Sequence, residues 1–152
     1  MTHQIYTDGS CLRNPEGPGG WAFVVVGPDG AEVARGAGGE TPTTNNRMEL
    51  TAAVQALRAT TKLPEGSKVT IISDSKYVVE GITQWIKGWK NRKWRTANKT
   101  PVKNDDLWRT LDELNAKMNV TWKWVKGHDG NHWNEVVDQL AVAESTRLDM
   151  GR

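Results

Sequence analysis

A chain of 152 residues with 37% hydrophobic and 25% charged side chains is sized and composed for one globular domain over residues 1–152, which excludes a disordered tail or a fibrous repeat. No apolar run approaches the roughly 18 residues of a membrane span, and Met1-Thr2-His3-Gln4 leads straight into a strand-like stretch, so neither a membrane anchor nor a secretory leader is expected. The single cysteine, Cys11, excludes an internal disulfide and suits a cytoplasmic protein, and a net charge of +2 excludes a uniformly basic surface.

In chain order, Ile5-Tyr6-Thr7 opens a strand that reaches Asp8-Gly9-Ser10 and runs into the Gly/Pro-rich loop Asn14–Gly20. Trp21–Val26 is a second strand, and Pro28-Asp29-Gly30 turns the chain into a third near Ala31–Gly38. Three strands joined by short loops predict an antiparallel meander. From Asn45 to Thr60 the period changes: Leu50, Ala53, Val54 and Leu57 mark one face of a helix. Val69–Ile72 is a short strand buried on both faces. A second helix is expected from Lys76 to about Trp89, and Pro101 suits the start of a third, with Leu107, Leu111 and Leu114 on its apolar face. Val120–Val125 alternates as a strand, Gly127–Asn131 is a loop, and Trp133, Val136, Val137, Leu140 and Ala141 stripe a last helix. The order β-β-β-α-β-α-α-β-α predicts an α/β mixed fold: three antiparallel N-terminal strands in a mixed sheet with flanking helices.

Charge is concentrated in one place. Between Gly81 and Asn104 lie Lys87, Lys90, Arg92, Lys93, Arg95, Lys99 and Lys103 with no acid among them. The remainder holds thirteen basic against eighteen acidic residues. A mildly acidic body with one basic segment points to a polyanionic partner touching one face. Trp85, Trp89 and Trp94 interleave with those lysines and offer flat surfaces to sugars or bases, although Trp85 and Trp89, four residues apart, also suit partial burial in the core.

Four carboxylates stand out only as a set. Asp8 alone reads as a turn residue, Glu49 as a helix-capping carboxylate and Asp74 as an N-cap. Asp138, in the middle of a helix, has the poorest local reason to be there. Together they fall at the ends of the two strands expected to be central and on the faces of two helices expected to cover them. Carboxylates gathered there repel unless cations compensate them, and Mg²⁺ favours such oxygen ligands.

Tyr6-Thr7-Asp8-Gly9-Ser10-Cys11, Thr43-Thr44-Asn45-Asn46-Arg47-Met48-Glu49-Leu50, Asp74-Ser75-Lys76-Tyr77-Val78, Gly81–Ile86, Pro101–Asn104 and Trp124-Val125-Lys126-Gly127-His128 resemble, in order and over nearly the whole chain, the signature blocks of type 1 ribonuclease H. The resemblance implies a five-stranded ribonuclease H fold and hydrolysis of the RNA strand of RNA–DNA hybrids. It implies two Mg²⁺ ions, replaceable by Mn²⁺, on Asp8, Glu49, Asp74 and Asp138, and products with 5′-phosphate and 3′-hydroxyl ends. His128 matches a mobile histidine that assists proton transfer or product departure. Asn14, Asn45, Asn46 and Lys76 match the contacts to the RNA strand, but Lys76 stands where relatives often carry Gln and suits a phosphate as well as a 2′-hydroxyl. Thr44, Arg47 and Asn104 match a pocket for a DNA phosphate. The segment at about 81–104, with Trp85, Lys87, Trp89, Lys90, Lys93 and Trp94, resembles the basic protrusion of cellular members. A monomer is expected. Two other readings fit parts of the sequence: a non-catalytic hybrid-binding module, and a nuclease of the same fold acting on another duplex.

Overall fold

The computed structural model describes residues 2–127 and 131–151. Five strands, β1 (Thr2–Cys11), β2 (Gly19–Val26), β3 (Glu32–Glu40), β4 (Lys68–Ser73) and β5 (Asn119–Trp124), form one sheet in the order β3-β2-β1-β4-β5. The first three pair antiparallel, while β4 lies parallel to β1 and β5 parallel to β4. The expected mixed sheet is therefore present, with β1 at its centre. Asp8-Gly9 does not turn the chain: Asp8 pairs with Ala22 and Gly9 with Trp21, and β1 continues to Cys11 before the loop reverses it. The cross-strand ladder outweighs the local turn preference.

Period-two alternation divides the side chains of the central strands between two faces. Ile5, Phe23, Val25, Val69 and Ile71 face one side and pack with α1 (Asn45–Thr60) and α4 (Asp105–Lys117) through Leu50, Val54, Leu57, Trp108 and Leu111. Tyr6, Ala22, Val24, Val26 and Ile72 face the other side and pack with Val137 and Ala141 of α5 (His132–Met150). The sheet is thus covered on both faces, and β4 is buried on both, as its apolar run predicts.

Between β4 and α4 the chain forms α2 (Lys76–Glu80), a widened π-turn (Gly81–Trp85) and α3 (Ile86–Asn91). In the widened turn the Ile86 N–H reaches the carbonyl of Gly81, five residues back. A side chain at position 81 would collide with the ring of Trp108, so the missing Cβ lets α4 close on this helix. Pro101 does not start α4. It pairs with Arg95 in a small bridge, and α4 begins at Asp105, after Asn104 in a left-handed conformation. The ladder is extended by hydrogen bonds from Thr96 N–H to Thr100 O (2.8 Å) and from Val102 N–H to Trp94 O (3.2 Å), so residues 94–102 form a short hairpin. No described helix is long and apolar enough to cross a membrane.

Candidate active site

The centre is built from the parallel pairing of β1 and β4. Thr7 pairs with Ser73, so the next residues, Asp8 and Asp74, emerge side by side. Both share the face of Tyr6 and Ile72, beneath α5. Gly9 lets the start of α1 approach: a Cβ there would run into the backbone of Met48 and Glu49. This close approach sets the Glu49 side chain beside the two aspartates. One carboxylate oxygen from each of Asp8, Glu49 and Asp74 lies within 4.8 Å of the others. From the opposite side α5 brings Asp138, which lines a narrow cleft with Thr7, Asp8, Asp74, Gly127, Asn134, Glu135 and Val137. Its carboxyl meets that of Asp8 but does not join the compact group of three.

The local explanations for these acids fail one by one. The cap of α1 is Thr44, whose hydroxyl accepts from Arg47 N–H at 3.1 Å; Glu49 takes no part. The cap of α2 is Ser75, accepting from Val78 N–H at 3.2 Å, not Asp74. Asp8 accepts one bond, from its neighbour Gly9 N–H at 2.9 Å. Glu49 Oε1 and Asp74 Oδ1 are buried with no hydrogen-bonding partner among the described residues. Leaving such oxygens unsatisfied is costly, and a cation offers the satisfaction that protein donors here do not. Burial first, then the charge of Asp74, pushes the Asp8 carboxyl up to about 8. Burial first, then the charges of Asp8 and Asp74, holds Glu49 well above the usual carboxylate range. The donor set is all hard oxygen, so it fits a divalent ion such as Mg²⁺.

Around this centre the remaining expected residues separate. The Asn14 side-chain oxygen accepts from Asn45 N–H at 3.0 Å and ties the loop after β1 to the start of α1, where Asn45 and Asn46 are exposed. Arg47 lies next to Asn104, with Nη1 at 3.4 Å from Oδ1. Lys76 places its ammonium 4.7 Å from the ring of Trp124. Lys87, Lys90 and Lys93 are exposed, and Lys90 is paired with Asp112 at 3.0 Å. The tryptophans divide: Trp85 is 37% exposed, whereas Trp89 and Trp94 pack against the main core. Trp94 also lies under the Arg109 guanidinium, and Trp89 stacks edge-on to Trp108. His128 lies outside the described residues.

Several residues near the site had no role assigned to them from the sequence. Trp124 Nε1–H donates to the Asp74 carbonyl at 3.0 Å and so steadies the backbone that aims that acid. The Tyr77 hydroxyl receives Asn104 Nδ2–H at 3.3 Å and Trp108 Nε1–H at 3.1 Å, linking the expected phosphate pocket to the aromatic core. Glu40 and Asp106 both pair with Arg47, at 2.9 and 2.7 Å. Strand alternation assigns Trp124 a face but not a partner 50 positions away, and no pattern links Arg47 to acids in two other elements.

A compact acidic centre where two parallel central strands end, on a sheet of order 3-2-1-4-5, defines a nuclease-like hydrolase with the ribonuclease H fold. A sequence profile of the RNase H family matches residues 2–146. Ribonuclease H of Treponema denticola is 48% identical over 97% of this chain and 99% of its own, and that of Cupriavidus metallidurans is 53% identical over 90% of each. The crystal structure of LC9-RNase H1, described as a type 1 RNase H with the type 2 active-site motif, superposes with a TM-score of 0.84 at 34% identity, covering 96% of this chain and 72% of that one. The chain belongs to the ribonuclease H family and is an enzyme.

Proposed function

We propose that this enzyme is an endoribonuclease that hydrolyses the RNA strand of RNA–DNA hybrids, leaving 5′-phosphate and 3′-hydroxyl ends. The observation that carries the reading is the triad of oxygens within 4.8 Å from Asp8, Glu49 and Asp74, two of whose acids keep a buried oxygen without a protein partner. Asp8, Glu49, Asp74 and Asp138 would hold two Mg²⁺ ions, or Mn²⁺ in their place. Bound there, the ions supply positive charge where negative charge develops on the phosphate and the leaving oxygen, and they acidify a water. Asp8 and Asp74 stand on rigid strand ends and fix the centre, while Asp138, set apart on α5, suits the more exchangeable contact.

The remaining residues bind and orient. Asn14, Asn45 and Asn46 read the RNA strand, whose 2′-hydroxyl both donates and accepts, and Lys76 meets that hydroxyl or a phosphate. Thr44, Arg47 and Asn104 receive a phosphate of the DNA strand. Lys87, Lys90 and Lys93 neutralise phosphates beyond the centre, with Trp85 as the exposed flat surface and Trp89 and Trp94 as its support. His128 moves a proton at the leaving oxygen or speeds product departure. The enzyme acts as a cytoplasmic monomer.

Labelled RNA–DNA, RNA–RNA and DNA–DNA duplexes with Mg²⁺, Mn²⁺ or chelator test this directly. Only the RNA strand of the hybrid is expected to be cut, and only with metal. An uncut hybrid in Mg²⁺, or equal cutting of another duplex, overturns the reading. Asp74→Asn is expected to abolish cleavage with the circular dichroism spectrum unchanged.

A further inference from the structure

The proposed phosphate pocket already contains an anion. The end of the Arg47 guanidinium is taken by Asp106, with Nη1 to Oδ1 at 3.1 Å and Nη2 to Oδ2 at 2.7 Å. Two parallel N–H bonds to two oxygens are the geometry that arginine offers a phosphate. The Nε side is held separately by Glu40 at 2.9 Å, and Glu40 is itself fixed by the Thr43 hydroxyl at 3.0 Å. Glu40 therefore orients the fork, and Asp106 occupies the edge that a phosphate would use. The two acids differ in how far they can leave. Asp106 has a side chain 60% exposed, and it sits in the first turn of α4 beyond Asn104, so it can swing into water without opening the core. Asn104 remains, held through its amide to the Tyr77 hydroxyl at 3.3 Å.

We infer that Asp106 is a resident competitor for the phosphate pocket, so that a phosphodiester of the bound nucleic acid engages Arg47 only by displacing the Asp106 carboxylate. This rests on the proposal that Arg47 receives a phosphate. Displacement costs the enzyme a bidentate ion pair at every binding event, which weakens the grip on any polyanion. A duplex with a phosphate in register with both Arg47 and Asn104 recovers two contacts, whereas a duplex out of register recovers none. Asp106 thus acts on affinity and discrimination and leaves the chemical step alone.

The test is kinetic. Asp106→Asn is expected to lower KM for the hybrid about threefold to tenfold with kcat unchanged. Asp105→Asn is the charge-matched comparison, because Asp105 is the adjacent residue and pairs with Arg109 at 3.3 Å, not with Arg47. It is expected to lower KM less than twofold. The double variant Arg47→Ala with Asp106→Asn is expected to match Arg47→Ala alone. Equal KM shifts from the two Asp→Asn variants, or a KM gain that survives loss of Arg47, overturn the inference and leave general charge as the cause. An Arg47→Ala variant that binds hybrid as tightly as the parent instead removes the phosphate pocket itself. Binding of the hybrid in chelator, measured by anisotropy, reads the same order without turnover.

Discussion

Asp8 keeps its proton up to about pH 8 because burial, and after it the Asp74 charge, disfavours the ionised form. In the unfolded chain the same carboxyl ionises near its ordinary 3.8. Between these values the metal-free folded protein binds more protons than the unfolded one, so this group's contribution to stability falls as pH rises from about 4 to about 8. Glu49 is shifted in the same direction. Asp8→Asn removes one charge from the cluster, and in chelator at pH 8 it is expected to stabilise the fold by about 1–3 kcal/mol. The gain should vanish towards pH 4, and cleavage should be lost throughout. Thermal melts at several pH values check this, and an Asn variant no more stable than the parent at pH 8 rules out repulsion among the acids. Magnesium should raise the melting temperature of the parent and have a smaller effect on the variant. These acids were visible in the sequence as types at telling positions, but each looked locally sufficient. Only the register of β1 against β4, set by pairing between distant segments, shows that neither Asp8 nor Asp74 serves its local end.

Elements with a strong period were legible, and their joints were not. Leu50, Ala53, Val54 and Leu57 set α1, and Val120 to Trp124 alternates as an edge strand, because both periods come directly from backbone geometry. The π-turn at Gly81–Trp85 leaves no comparable mark, and its Gly81 faces the Trp108 ring, supplied by another helix. Pro101 misled for a similar reason, since a proline suited to a helix start also suits the edge of a small hairpin. The packing of Trp108 on Gly81 makes a paired prediction. Gly81→Ala forces a methyl into that ring and should cost about 1–3 kcal/mol, read as a lower denaturant midpoint. Gly88→Ala in α3 meets only the flexible end of Arg92, nearest atom 3.2 Å, and should be neutral or stabilising by up to about 1 kcal/mol. Equal gains at both positions would mean that helix propensity, and not the ring contact, governs this segment.

Across the whole molecule, the two signs of charge concentrate in different regions: the acidic cluster lies at the sheet, and the lysines stand on the segment after α2. Replacing Lys87, Lys90 and Lys93 with Ala should raise KM about tenfold with kcat nearly constant. The salt dependence of binding should flatten by up to about one unit of slope per lysine that meets a phosphate. Lys90 should contribute least, because Asp112 already engages it. A fall in kcat at saturating hybrid would place this segment in the chemistry. The fold class and the sheet composition could be read from element order, whereas the division of the tryptophans into one exposed surface and two half-buried ones packed on the core could not, because interleaving with lysines looks the same in either arrangement. The sheet order has a consequence for synthesis as well. β1 precedes the other strands in the chain yet occupies the middle of the sheet, and its parallel neighbour β4 follows some 60 residues later. The face formed by Tyr6, Val24, Val26 and Ile72 is closed by α5, which follows all five strands and carries Asp138 with it. A nascent chain therefore presents an uncovered apolar face and an incomplete acidic centre until α5 has been made. Assembly of the acidic centre is thus tied to closure of that face, because one helix supplies both Asp138 and the apolar cover.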